Sequence, residues 1–258
     1  MTAATIPARR SGPGPWLEAF GHLTRWQVTR LRRLLPITMV VQVLSTTGIV
    51  IGMGLLYGDL PPERVLYLTT GAVTISLITV GLVMGPQLLA QERISGSAEY
   101  MSSLPVPRSA ATMGWMVLNL ITVVPGIISA LIAAVLRYEI ELTISWVIVP
   151  AGLLVVFGAT MVGVAYGYAI PNPRTVNAVA QLLVFGVFGF SPIAYPSDQL
   201  PEWLAALHRW LPFESMAVVI RDGLTDGLVT EVGRAYAVVV IWTVAAVVLA
   251  TWSLGRRK

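Results

Sequence analysis

The chain has 258 residues, 55% of them hydrophobic and only 12% charged, with a net charge of +4 and no cysteine. An average soluble domain carries roughly 25% charged residues, so this composition argues against one. The missing cysteines exclude disulfides, thiolate nucleophiles and thiolate metal sites. The basic balance follows from topology, as shown below, and no nucleic-acid partner is expected.

Residues 1–15, mostly Ala, Arg, Ser, Gly and Pro, read as a disordered leader. Residues 16–35 follow as an amphipathic helix. Trp16, Phe20, Leu23, Leu31 and Leu34 fall near one face, with Arg25, Arg32 and Arg33 towards the other. That pattern fits a helix lying in the cytoplasmic membrane interface, or a basic flank that only fixes topology. Six apolar blocks come next: 37–57, 65–90, 111–136, 144–170, 176–194 and 235–254. None has a charged residue in its interior, and each reaches the ~20 residues needed to cross about 30 Å of hydrocarbon. The expected fold is an all-α integral membrane protein with six transmembrane helices, a single membrane domain over 16–258. The spans and their links are expected to leave no room for a separate soluble catalytic domain. No cleavable signal is expected either, because the first apolar block begins late and is long enough to span.

Arginine placement sets the orientation. With both termini cytoplasmic, the inner segments 1–36, 91–110, 171–175 and 255–258 hold 12 of the 17 basic residues and 3 of the 13 acidic ones. That bias predicts a multi-pass protein of the cell membrane with both ends inside.

The inner loop that starts at Gln91 carries Glu92, Arg93, Glu99 and Tyr100 on an expected short helix that stops before Pro105. It is either a solvated connection or a docking element for a partner. The outer segment 195–234 is semi-apolar and broken by Pro196, Pro201 and Pro212. Trp203, Leu204, Leu207, Trp210 and Leu211 recur at helical spacing, and a second piece covers 213–224. Two short helices dipping into the outer leaflet fit, with their broken backbone buried in protein, and so does an interfacial hairpin with aromatic anchors.

Several classes of chemistry lack their residues. Lys258 is the only lysine, so a GxxxxGK[ST] phosphate loop is impossible and the chain is not expected to hydrolyse ATP itself. The two histidines, His22 and His208, fall on opposite faces of the membrane, which disfavours a shared metal or a catalytic triad. No ionisable residue lies inside a span, which disfavours an ion-coupled carrier. Uncharged polar residues remain: Gln42, Ser45, Thr46 and Thr47, then Gln87, Asn119 and Gln181. They would either bond neighbouring helices, at about 0.6–2 kcal/mol each, or line a substrate path. Phe185, Phe188 and Phe190 could line an amphiphile path or face lipid.

The run Gln91-Glu92-Arg93-Ile94-Ser95-Gly96-Ser97-Ala98-Glu99-Tyr100, followed by Leu104-Pro105-Val106-Pro107-Arg108, resembles a signature of ABC type-2 exporter permeases, roughly E-[RK]-x-x-G-T-L-E…x-P-V-x-R. Ser191-Pro192-Ile193-Ala194-Tyr195-Pro196, Gln199-Leu200-Pro201-Glu202-Trp203-Leu204 and Leu211-Pro212-Phe213 resemble the same family's motif before its last span. Ala217 and Arg221 sit where that family often has a small and a basic residue. Ser97 and Ala98 depart mildly from the common Thr-Leu. The resemblance covers almost the whole chain.

It implies a permease dimer, of two copies or of paralogues, with each permease bound to a separate cytoplasmic ABC ATPase that holds ATP and magnesium. No cofactor or metal is then expected on this chain. Glu92, Arg93, Glu99 and Tyr100 would couple to the ATPase. Gln42, Ser45, Thr46, Asn119, Gln181, Phe185 and Phe188 would line the path, and Tyr195, Trp203 and Arg221 would form an outer gate within a re-entrant segment. The expected cargo, in contact with membrane lipids, is hydrophobic or amphiphilic, as in multidrug or lipid export. Exporters of lipid-linked polysaccharide, ATP-independent channels or carriers, and membrane anchors or assembly factors remain as alternatives.

Overall fold

A computed structural model describes residues 12–58, 60–96 and 107–255, and these form ten α-helices. They are α1 (Pro13–Leu31), α2 (Leu35–Tyr57), α3 (Pro62–Thr79), α4 (Gly85–Ile94), α5 (Arg108–Tyr138), α6 (Ile148–Ala169), α7 (Pro173–Phe190), α8 (Glu202–His208), α9 (Pro212–Leu224) and α10 (Val232–Gly255). Proline opens α3 and α7 at a position where its missing N–H costs nothing. The side chain of Asn172 caps α7 by accepting from the Arg174 N–H at 2.9 Å. Gly58, with φ of 70°, closes α2, a left-handed turn that favours glycine.

Five helices are long and apolar enough to cross a membrane: Leu35–Tyr57, Pro62–Ile94, Ser109–Tyr138, Ile148–Ala169 and Val232–Trp252. Helix α7, the expected fifth crossing, has 18 residues and carries Arg174, Asn177 and Gln181 in its first half. At 1.5 Å per residue it is about 27 Å long. It ends at Phe190 rather than Ala194, and the next four residues form a turn. The first helix begins at Pro13, earlier than expected; residues 1–11 of the expected leader lie outside the described residues.

The bundle is organised around α3. Of the apolar window of Pro62–Ile94, 83% is buried within the chain, against 17% for α2. Val73, Leu77, Ile78 and Leu82 meet Val155, Val156, Met216 and Val239 in the main core. Between α3 and α4 the helix widens into a π-helical turn, Val80–Met84. Pro86 explains part of this, because it has no N–H to offer the Leu82 carbonyl four residues back. That carbonyl accepts instead from the Tyr166 hydroxyl of α6. Small residues let α6 approach the break: a Cβ on Gly81 would lie 2.7 Å from Ala159 Cβ, and Gly163 and Gly167 face Pro86.

Helix α1 packs along the start of α5, where Trp16 donates to Ser109 Oγ at 3.0 Å and Gln27 to the Ala111 carbonyl at 3.2 Å. Leu23 and Gln27 are its buried residues, while Arg25, Arg32 and Arg33 are exposed.

Candidate functional site

At the end of the bundle opposite α1, the chain after α7 turns into the molecule instead of passing over it. Gly71, nine residues into α3, makes room: a Cβ there would lie 2.6 Å from Ile193 O and from Ala194 Cα. The Ser191–Ala194 turn is thus seated roughly 13 Å below the start of α3. Helix α8 then leads to Trp210, whose carbonyl accepts from Trp242 Nε1 of α10 at 2.8 Å. Trp242 is itself ten residues into α10. Helix α9 climbs back between α3, α6 and α10. The expected continuous helical pattern through Leu211 is therefore interrupted: α8 stops at His208, and α9 restarts at Pro212.

Arg221 of α9 fastens this segment. It is 2% exposed, and its guanidinium is held by two hydrogen bonds and one aromatic ring. Nε donates to Thr70 Oγ1 at 3.0 Å, and Nη2 donates to the Ile193 carbonyl at 2.7 Å. The Tyr67 ring lies under the guanidinium carbon at 4.1 Å from its centroid. One side chain thus ties α9 to two turns of α3 and to the turn after α7. Burial pulls its pKa below the usual arginine value, with the charges of Tyr67 and Glu214 opposing that shift. Glu214, in the first turn of α9, has its pKa pushed up by burial. A hydrogen bond from Ser197 and the charges of Arg234, Arg209 and Arg221 oppose that shift.

Beside Tyr67 a cleft of about 160 Å³ opens between α2, the start of α3 and the Tyr195 turn. Tyr195 lines it and is half-buried, whereas Trp203 on α8 is 70% exposed and takes no part.

At the α1 end, Glu92 is buried and points back into the protein. Its Oε1 receives Arg30 Nη1 of α1 at 2.7 Å, an ion pair that braces α1 against α4. Arg93 donates to the Ile170 carbonyl at 2.8 Å and lies over the Tyr168 ring, joining α4 to the end of α6. Glu99 and Tyr100 fall outside the described residues.

The polar residues expected along a path are spread over several helix contacts. Thr46 is buried, shares a 2.6 Å hydrogen bond with Ser76 of α3, and donates back to the Gln42 carbonyl. Asn119 is buried and donates to Thr160 Oγ1 of α6 at 3.1 Å. Gln42 is half-buried against Gly126 of α5, and Ser45 is exposed. Gln181 and Phe185 are exposed on the free side of α7, Phe185 at 72%; the side chain of Phe188 is outside the described ones. His22 on α1 and His208 on α8 lie at opposite ends, and the described residues bring no three metal-ligating side chains together.

A family model for ABC-2 type transporters matches residues 18–224. The chain belongs to that family. The match covers both the braced α1 end and the segment fastened by Arg221, so the two sites sit within one ABC-2 permease domain. An ABC-2 membrane domain is a transport subunit and not itself the ATPase, and an ABC ATPase partner follows from the family. Among curated proteins no similar sequence matches the permease.

Sequence reading missed Thr70, Tyr67, Gln27 and Tyr166 as parts of these sites. The first two carried one usable signal, in that a buried arginine on a short helix requires acceptors and an aromatic face nearby.

Proposed function

We propose that this permease is the membrane-spanning subunit of an ATP-driven exporter of hydrophobic or amphiphilic molecules, drugs or lipids. The observation that carries the reading is the contrast between the two ends of the bundle. One end is braced by Arg30–Glu92 immediately before the loop that would meet the ATPase. The other is closed by the α8–α9 segment that Arg221 fastens to α3. In this reading the α1 end is cytoplasmic, α7 completes six crossings, and α8–α9 is a re-entrant outer gate in the cell membrane. ATP and magnesium are held by the partner ATPase. A second permease copy or a paralogue covers the sides of α2 and α7 that this chain leaves bare, where Ser45, Gln181 and Phe185 lie exposed. The charge-free interiors of the spans support cargo that is mostly apolar over sugar-rich cargo such as lipid-linked polysaccharide.

Because Glu92 faces Arg30, coupling runs through the brace rather than through a carboxylate offered to the ATPase. Affinity purification from native membranes, with mass spectrometry, is the test. A stoichiometric ATPase whose turnover depends on this chain is the expected result, and Glu92→Arg should uncouple it while a swapped Arg30→Glu/Glu92→Arg pair restores coupling. Intact permease recovered with no nucleotide-binding partner would overturn the exporter reading in favour of an ATP-independent channel or carrier.

A further inference from the structure

The cleft beside Tyr67 shares that one residue with the fastening of α9, and the rest of its lining is chemically one-sided. Arg64, on the first turn of α3, is the one charged residue among its described lining. Tyr57, Tyr195 and Gln199 also line it; Arg64, Tyr57 and Gln199 are exposed and Tyr195 is half-buried, so their polar groups are open to a ligand. Met53, Leu60 and Leu68 form the apolar wall on the side of α2 and α3. One arginine beside three neutral residues that can donate hydrogen bonds, with no carboxylate among the described lining, favours an anion.

Size narrows the ligand further. Pockets for whole drug-sized molecules hold roughly 300–1,000 Å³. About 160 Å³ accommodates a headgroup or a single ring and leaves the rest of a longer molecule outside. The exposed apolar surface of Leu55, Leu56 and Tyr57 on the last turn of α2 offers a place for that remainder.

We propose that this cleft is a headgroup site for an anionic, single-headed amphiphile, a phosphate or carboxylate on an apolar tail, with Arg64 as the charge-recognition residue. This rests on the proposed export function and deepens it by naming the cargo class. In the orientation proposed above, the site lies where cargo leaves the bundle for the outer leaflet. Tyr67 lines it and also stacks against the Arg221 guanidinium, so occupancy and gate share one side chain.

The experiment uses the purified full-length permease in phosphatidylcholine nanodiscs, with dodecyl phosphate as probe and tryptophan fluorescence or thermophoresis as readout. Saturable binding is expected. Arg64→Ala should weaken it by about tenfold or more, the loss of one charge-assisted hydrogen bond. Arg64→Lys should recover most of that loss, and Gln199→Glu, which places a carboxylate in the cleft, should also weaken binding. Dodecyltrimethylammonium should not compete. A second arm replaces part of the phosphatidylcholine by phosphatidylglycerol. Loss of probe binding there identifies a resident lipid as the natural anion, and unchanged binding identifies a passing solute; both keep the site. Equal affinity for the anionic and cationic probes, or an unchanged Arg64→Ala variant of normal melting temperature, overturns it. No ATPase is needed for this binding, so a failure here removes the headgroup site alone, and the exporter reading still stands or falls by co-purification.

Discussion

Replacing Arg221 by methionine keeps most of the side chain's length and removes the group that holds three elements together. Two charge-assisted hydrogen bonds, to Thr70 and to the Ile193 carbonyl, are worth about 1.5–3 kcal/mol each. Stacking on Tyr67 in a desolvated setting adds about 2 kcal/mol. Against this stands the cost of burying a guanidinium, several kcal/mol, which methionine relieves. The variant also leaves the Ile193 carbonyl without its donor. The balance is a loss of about 2–4 kcal/mol, dominated by groups stranded inside the bundle. For a protein of this size that corresponds to a fall in melting temperature of roughly 5–15 °C. Near-ultraviolet circular dichroism of the detergent-purified protein measures it. Tyr67→Leu, combined with Arg221→Met in a double-mutant cycle, should show a coupling of about 1–2 kcal/mol. An unchanged melting temperature in Arg221→Met, or strict additivity with Tyr67→Leu, would refute the fastening.

Three other outcomes are expected. Tyr166→Phe strands the Leu82 carbonyl at the π-helical turn and should cost about 1–3 kcal/mol in the same assay; combining it with Pro86→Ala, which restores an N–H, should recover part of that loss. Gly71→Ala forces the added methyl into the backbone of Ile193 and Ala194, so it should destabilise by about 1–3 kcal/mol, and wild-type stability would mean the turn is not seated there. Glu214 has its pKa raised from 4.5 by burial, so the folded state binds its proton more tightly than the unfolded one. Stability from this group is therefore full at low pH and is lost as pH rises from about 4.5 through the folded value. Glu214→Gln should flatten that dependence and melt no lower than wild type at pH 8; a pH profile identical to wild type would count against it.

The apolar blocks were legible because lipid demands about twenty apolar residues in a row, and five of the six correspond to helices long and apolar enough to cross. Boundaries shifted by a few residues where proline opens a helix or a left-handed residue closes one, as at Pro62 and Glu139. Arg221 was marked by the family resemblance alone, and its acceptors were not marked at all. Thr70 and Ile193 lie far from it in the chain, and no local spacing brings them together. The π-helical turn was invisible for the opposite reason. Val80–Met84 is as apolar as its surroundings, and only Pro86 hints that a carbonyl there needs an outside donor. Glu92 looked like an exposed handle because helices α1 and α4 meet only in three dimensions.

A π-helical turn holds one residue more than an α-helical one, and that surplus residue need not stay where it is. Each residue advances a helix by about 100° and 1.5 Å, so the place of the surplus fixes the angular phase between the helix on either side of it. Thr70, gripped by Arg221, lies on one side, and Glu92, gripped by Arg30, lies on the other. Sliding the surplus past either anchor would turn that anchor away from its partner as a screw turns, with no helix unfolded and no loop displaced. The central rod thus carries a register mark, and two arginines at opposite ends of the molecule read it.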